Sequence, residues 1–94
     1  MAATPLTEDH FHRIARAIAD PRRYYLLRCI GNAGDTLACE QLRGCTEVSA
    51  ATVSHHMKEL ESAGLVDSTR EGKFVTYRLR RNILNAYLAK MAQI

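Results

Sequence analysis

No stretch of this chain approaches the roughly 18 consecutive apolar residues that a membrane-crossing helix requires, so a membrane partner is not expected. Its start, Met1-Ala2-Ala3-Thr4-Pro5-Leu6-Thr7-Glu8-Asp9, has neither a basic cluster nor a long apolar run, and does not read as a secretory signal. Cysteine is scarce: Cys29, Cys39 and Cys45 contain no Cys-x-x-Cys pair, and an odd number without an export signal suits a reducing cytoplasm. There is no Gly-rich phosphate loop, no nucleophile elbow and no zinc-protease signature, and nothing sets a Cys, a His and an acid as a triad. An enzyme is therefore not expected, and a thiol oxidoreductase would want the missing cysteine pair. Internal repeats, low-complexity tracts and interdomain linkers are absent too.

What is present is ordinary globular material: 94 residues, 47% hydrophobic and 24% charged. That length supports one domain over 1–94, small enough that pairing with a second copy would stabilise it. The net charge is +3, which alone barely favours nucleic acid as a partner. Its distribution is more telling. Residues 65–80 set Arg70, Lys73, Arg78 and Arg80 against Asp67 and Glu71, and residues 81–94 add Arg81 and Lys90 with no acid. The basic surplus of the sequence thus lies in its C-terminal third.

Periodicity supplies the elements. After a tail expected to be flexible over 1–6, Thr7 can cap a helix whose Phe11, Ile14, Ala15 and Ile18 share one face. Asp20-Pro21 opens a second helix with Leu26, Leu27 and Ile30 inward, and Gly31 to Gly34 close it. A short helical turn, Leu37 to Arg43, follows with Leu37 and Leu42 buried. Ser49 caps a fourth helix over Ala50 to Ala63, and Gly64 stops it. Leu65 to Arg70 reads as a strand, Glu71-Gly72 as a tight turn, and Phe74 to Arg80 as the return strand, with Val75, Tyr77 and Leu79 alternating onto one face. Arg81 to Ala92 forms the last helix. The expected fold class is mainly α with a β-hairpin, in the order α-α-α-α-β-β-α.

The fourth helix carries the functional signal. At about 100° per residue, Val53, Met57 and Leu60 fall in a narrow arc flanked by Ala50, and that arc must face the core. The opposite side holds Ala51, His55, Lys58 and Ser62, with Thr52 and Ser54 at its margins. Short, neutral or basic side chains at the amino-terminal half suit entry into a DNA major groove, where hydroxyls and imidazole bond base edges or phosphates. Upstream lie a short helix and the connector Gly44-Cys45-Thr46-Glu47-Val48, which is helix-turn-helix spacing. Downstream, the hairpin carries Arg70 and Lys73 at its tip, where a basic wing reaches flanking backbone or minor groove. The expected DNA-binding residues are Ser49, Ala51, Thr52, Ser54, His55, Lys58, Arg70 and Lys73. Among the remaining histidines, His10 and His12 read as surface residues and His56 as a hydrogen-bonded packing residue.

The run Ser49-Ala-Ala-Thr-Val-Ser-His-His-Met-Lys-Glu-Leu-Glu-Ser-Ala-Gly-Leu-Val66, followed by Arg70-Glu-Gly-Lys-Phe-Val-Thr-Tyr-Arg-Leu79, strongly resembles the ArsR/SmtB family of bacterial winged-helix repressors. Ile18-Ala-Asp-Pro-Arg-Arg23 is similar to the signature that precedes that family's second helix. The resemblance spans about residues 10 to 92. It implies a homodimer built from the first and last helices, bound to an imperfect palindrome of double-stranded DNA and released by an inducer. The apolar stripes of those helices agree: Phe11, Ile14 and Ile18, with Leu84, Leu88 and Met91, leave more apolar surface than one small core covers. Residues 81–94 are accordingly expected to be a dimerisation helix. A twofold dimer sets its recognition helices about 34 Å apart on successive major grooves.

Family members bind metals at a Cys-x-Cys opening the third helix, or at acidic and histidine ligands along the last. Here the first place reads Leu37-Ala38-Cys39-Glu40, and residues 81–94 contain no Asp, Glu, His or Cys. No metal and no cofactor is therefore expected. Cys29, Cys39 and Cys45 remain as a candidate thiol sensor, for oxidants or for a thiophilic metalloid such as trivalent arsenic. Against this stands their reading as small buried hydrophobes. The rival to the whole account is a winged-helix protein-interaction module that binds no nucleic acid.

Overall fold

Each of the longer helices except the last begins on a side-chain cap. In the computed structural model, which describes residues 5–94, Thr7 accepts from the His10 amide to open α1 (Glu8–Ile18). Asp20 accepts from the amides of Arg22 and Arg23 to open α2 (Pro21–Asn32), with Pro21 in the first turn, where its missing N–H costs nothing. Ser49 accepts from the Thr52 amide to open α4 (Ala50–Ser62). Strands β2 (Val66–Glu71) and β3 (Phe74–Leu79) form the hairpin, and α5 (Arg81–Met91) closes the described chain.

Of the tail expected over 1–6, residues 1–4 lie outside the described residues. Within the remainder, Leu6 is partly buried against the core. It stands just before the Thr7 cap and Phe11 stands at the fourth helical position, the two places from which apolar side chains staple a helix start.

The third element also differs from its expectation. Where a helical turn was read from Leu37 to Arg43, the chain first forms a strand, β1 (Thr36–Ala38), and only then α3 (Cys39–Gly44). Gly34 and Asp35, at φ +77° and +72°, reverse the chain after α2. The Leu79 amide donates to the Asp35 carbonyl at 2.8 Å. Thr36, Leu37 and Ala38 then pair antiparallel with Arg78, Tyr77 and Thr76. The strand order is β1-β3-β2. The free edge of β3 gives this segment its backbone partners, and no local pattern announces such a long-range pairing. Leu37, expected to be buried, is half-buried, whereas Leu42 is fully buried. The hairpin turn falls one residue later than read: Gly72 and Lys73 form the two-residue loop, with Gly72 at φ +60° as the first central residue.

The core is aliphatic and draws on every helix. Ile14, Leu26, Ile30, Leu42, Val53, Met57, Leu60, Leu65 and Val66 are all but inaccessible to solvent. Tyr77 and Leu79 from β3, with Ile83 and Tyr87 from α5, close it.

The end of α4 is fixed by a paired arrangement of backbone bonds. The Leu65 amide reaches back to the Leu60 carbonyl at 3.0 Å and the Gly64 amide to Glu61 at 2.9 Å, the Schellman pattern, which needs a left-handed residue between them. Gly64 supplies it at φ +78°. His10 crosses from α1 to the same place, its Nε2–H donating to the Ala63 carbonyl at 2.7 Å. A β-carbon on Gly64 would stand 2.9 Å from that nitrogen. His10 is thus a partly buried tie between helices, which corrects its reading as a surface residue. His12 is exposed beside Glu8 at 3.7 Å.

Gly64→Ala combines left-handed strain with a collision at His10. It is expected to destabilise the fold by at least about 1–2 kcal/mol, measured as a shift in the urea midpoint without a change in its slope. His10→Ala should lose the tie and recover part of the tolerance to Gly64→Ala.

Candidate nucleic-acid interface

The rotation of α4 is set from behind. Val53, Met57 and Leu60 are fully buried, as their spacing requires, although Ala50, expected to flank them, is exposed. Ala51, Ser54, His55 and Lys58 are therefore turned outward and exposed, with Ser49 at the cap. Thr52 is half-buried. The Ser49 and Thr52 hydroxyls bond one another at 3.0 Å, while Ser49 Oγ also accepts from the Thr52 amide. Only one of the two hydroxyl protons is engaged in that pair, so one donor stays available to a phosphate or base edge.

The wing is joined to this helix by a contact not foreseen from sequence. The Ser68 hydroxyl on β2 donates to the Glu61 carboxylate on α4 at 2.6 Å. Glu61 lies toward the carboxyl-terminal end of α4, beyond the half that carries Ala51 to Lys58. No local pattern reveals this link, because it depends on how β2 leaves α4.

Charge is redistributed by folding. Four of the six basic residues of the C-terminal third are paired within the chain. Arg78 lies 2.9 Å and Arg80 3.9 Å from Asp67, Arg81 forms a two-pronged contact with Asp35, and Lys90 meets Glu8 at 2.6 Å. The Arg81 guanidinium holds the Asp35 carboxyl below its ordinary value, and Lys90 does the same to Glu8. Lys58, Arg70 and Lys73, by contrast, have no ion pair or hydrogen bond among the described residues, and all three are exposed. Cations left without an internal partner on a helix face and the adjoining hairpin can neutralise phosphates.

His56 departs from its expectation in one respect. It is buried, at 6% exposure, but neither ring nitrogen has a hydrogen-bond partner. Burial pushes its imidazole below the ordinary value. Asp20 at the start of α2 opposes that shift, while Arg23, Arg22 and the neighbouring His55 add to it. The Arg22 amide in turn holds the Asp20 carboxyl down.

The terminal stripes divide between the core and the surface. Ile14, assigned with them to a dimer interface, is fully buried within one chain and has no surface to offer a partner, because α1 already packs on α2 and α4 there. Phe11 is half-buried and stacks on Tyr87 of α5 at 5.0 Å, with Lys90 Nζ 5.2 Å from its ring centre. Ile18 and Leu84 are half-buried. Leu88 and Met91 remain open, at 53% and 42% exposure. The cysteines are free and half-buried: Cys29 on α2, Cys39 at the first position of α3 and Cys45 just after α3.

The profile of a helix-turn-helix domain family matches residues 18–69. The transcriptional regulator CmtR of Mycobacterium tuberculosis is 30% identical over 94 residues, covering all of this chain and 78% of CmtR. The chain belongs to the ArsR/SmtB family of winged helix-turn-helix transcriptional regulators. The regulator YgaV of Escherichia coli is 27% identical over 81 residues, covering 86% of this chain and 81% of YgaV. A solution structure of a homodimeric winged helix-turn-helix DNA-binding domain from Mycobacterium bovis superposes with a TM-score of 0.71 at 26% identity, covering 99% of this chain and 90% of that one.

In terms of the family's two metal positions, α3 offers a single cysteine, Cys39, and α5 has no Asp, Glu, His or Cys. Among the described residues no group of three or more His, Cys, Asp or Glu is gathered within reach of one ion. No helix is long and apolar enough to cross a membrane.

The folded chain holds His56 neutral more firmly than the unfolded chain does. Its contribution to stability is therefore complete above the ordinary imidazole value of 6.5 and is lost as pH falls below it. Thermal midpoints should drop between about pH 7 and about pH 5, and His56→Leu should flatten that drop. Equal slopes in the two proteins would assign the pH dependence elsewhere.

Proposed function

We propose that the chain acts in the cytoplasm as a homodimeric repressor that binds a palindromic duplex operator, with no catalytic activity of its own. The observation that carries this reading is the outward half of α4. Its back is sealed in the core, while Ala51, Ser54, His55 and Lys58 stand open beside the unpaired cations of the wing. In this reading Ser49, Ala51, Thr52, Ser54, His55 and Lys58 enter the major groove. Arg70 and Lys73 hold the flanking backbone or minor groove. Short side chains at the amino-terminal end of α4 permit close approach, and its unsatisfied amides favour phosphate.

The dimer joins the exposed parts of α1 and α5, through Phe11, Ile18, Leu84, Leu88 and Met91. The homodimeric Mycobacterium bovis domain supports a dimer, and two large apolar side chains on α5 that one chain leaves in water support this placement of its interface. Release follows a thiol-directed signal, an oxidant or a thiophilic metalloid, acting on the sensor set Cys29, Cys39 and Cys45.

Fluorescence anisotropy on a selected operator and on random duplex tests the interface. His55→Ala should cost about 1–3 kcal/mol on the operator and relax base preference. Lys73→Ala should weaken both duplexes alike and lower the salt slope by about one. A Lys73→Ala protein with altered base preference and an unchanged salt slope would contradict the assignment. Absence of salt-sensitive binding to any duplex would favour a protein-interaction module.

Sedimentation tests the dimer. Leu88→Glu places a charge in the proposed contact and should yield a folded monomer at micromolar concentration. A dimer unaffected by that change would place the interface elsewhere.

A further inference from the structure

The three thiols are not equivalent in the folded chain. Tyr25 and Cys29 stand one turn apart on the same face of α2. That face meets the segment leading into α4: Tyr25 and Arg22 form one wall of a surface groove whose other wall is the chain from Gly44 to Val48, including Cys45. The Cys29 thiol interacts with the Tyr25 hydroxyl and, across the junction of α2 with the turn, with the Cys45 thiol. Cys39 is outside this cluster. It packs against the core on the side of Tyr77.

We propose that Cys29 and Cys45 form a reversible disulfide that ties α2 to the turn of the helix-turn-helix and lowers affinity for DNA. This rests on the DNA-binding reading above and narrows its thiol signal to one pair and one oxidant class, a hydroperoxide. Cys45 borders the open groove, so it is the sulfur that meets the oxidant. Burial, with the contact from Cys45, pushes the Cys29 thiol above its ordinary value and keeps it protonated in reserve. The Cys45 thiolate attacks the outer peroxide oxygen. The O–O bond breaks, an alcohol or water departs, and Cys45 becomes a sulfenic acid. The Cys29 sulfur then attacks the Cys45 sulfur, and hydroxide leaves as water with the Cys29 proton. Two thiols have lost two electrons and two protons to the peroxide.

The geometric consequence lies next to the reading helix. A disulfide requires the sulfurs at about 2.05 Å, closer than two unlinked thiols stand. The turn from Gly44 to Val48 is drawn toward α2, and the residue that follows it is Ser49, the cap of α4. Moving that cap displaces Thr52 and the amino-terminal amides together.

The test treats the full chain with stoichiometric hydrogen peroxide. Non-reducing peptide mapping is read alongside duplex affinity. The expected result is a Cys29–Cys45 linked peptide and an affinity loss of about tenfold or more, reversed by dithiothreitol. Cys39→Ser should respond like the parent, and Cys45→Ser should keep its affinity in peroxide. A linkage through Cys39, a disulfide between chains, or an over-oxidised Cys45 with no linkage would overturn the pairing. A Cys29–Cys45 linkage that leaves affinity unchanged would overturn the switch. Reduced protein that binds no duplex would defeat the DNA-binding reading and the switch with it. The mapping would still decide the pairing.

Discussion

The structure depends first on the burial of one side of α4. Val53, Met57 and Leu60 occupy the centre of the core with no exposure, each worth about 1.5–3 kcal/mol relative to remaining in water. Exposed ion pairs such as Arg78 with Asp67 contribute about 0–1 kcal/mol. The apolar contacts therefore decide how α4 is rotated, and the polar residues go where that rotation leaves them. His55 and Lys58 are presented outward because the side chains behind them have no alternative. The same constraint has a cost at His56, which is carried into the interior with both nitrogens unsatisfied.

The hairpin is held to this helix from two directions. Leu65 is fixed by the Schellman closure of α4, and its carbonyl accepts from the Arg80 amide at 2.8 Å. Glu61 and Ser68 then link the outer surfaces of helix and strand. Such anchoring matters for a wing, because a cation helps to select a binding register only if its position relative to the reading helix is defined. Folding also decides which cations remain available. Asp67, Asp35 and Glu8 engage Arg78, Arg80, Arg81 and Lys90 and leave Lys58, Arg70 and Lys73 as the unpaired charges of the helix and wing.

Much of this was legible in the sequence because it is local. Thr7, Asp20 and Ser49 announced their helices, Gly64 announced the end of α4, and the alternation of Val75, Tyr77 and Leu79 announced β3. The helical period placed Val53, Met57 and Leu60 inward. What escaped was non-local. Strand β1 exists because β3 offers an edge, and nothing between Thr36 and Ala38 encodes that alone. His10 reads as a surface histidine until α4 is seen to end beside it. Ile14 reads as interface until α2 and α4 close over it. The contact between Cys29 and Cys45 likewise depends on how α2 meets the turn, which spacing along the chain does not specify. The C-terminal basic surplus was incomplete for a related reason: a local count says little before the acids that pair with it are placed in space.

The central claim is that the outward half of α4 and the tip of the hairpin are one continuous surface for a duplex. An amide-resolved NMR titration with a selected operator tests it most directly. The account predicts that the perturbed amides cluster between Ser49 and Lys58 and between Arg70 and Phe74, with α1 and α5 quiet apart from dimer contacts. Perturbations centred on α5, with the α4 face unchanged at saturating duplex, would contradict it.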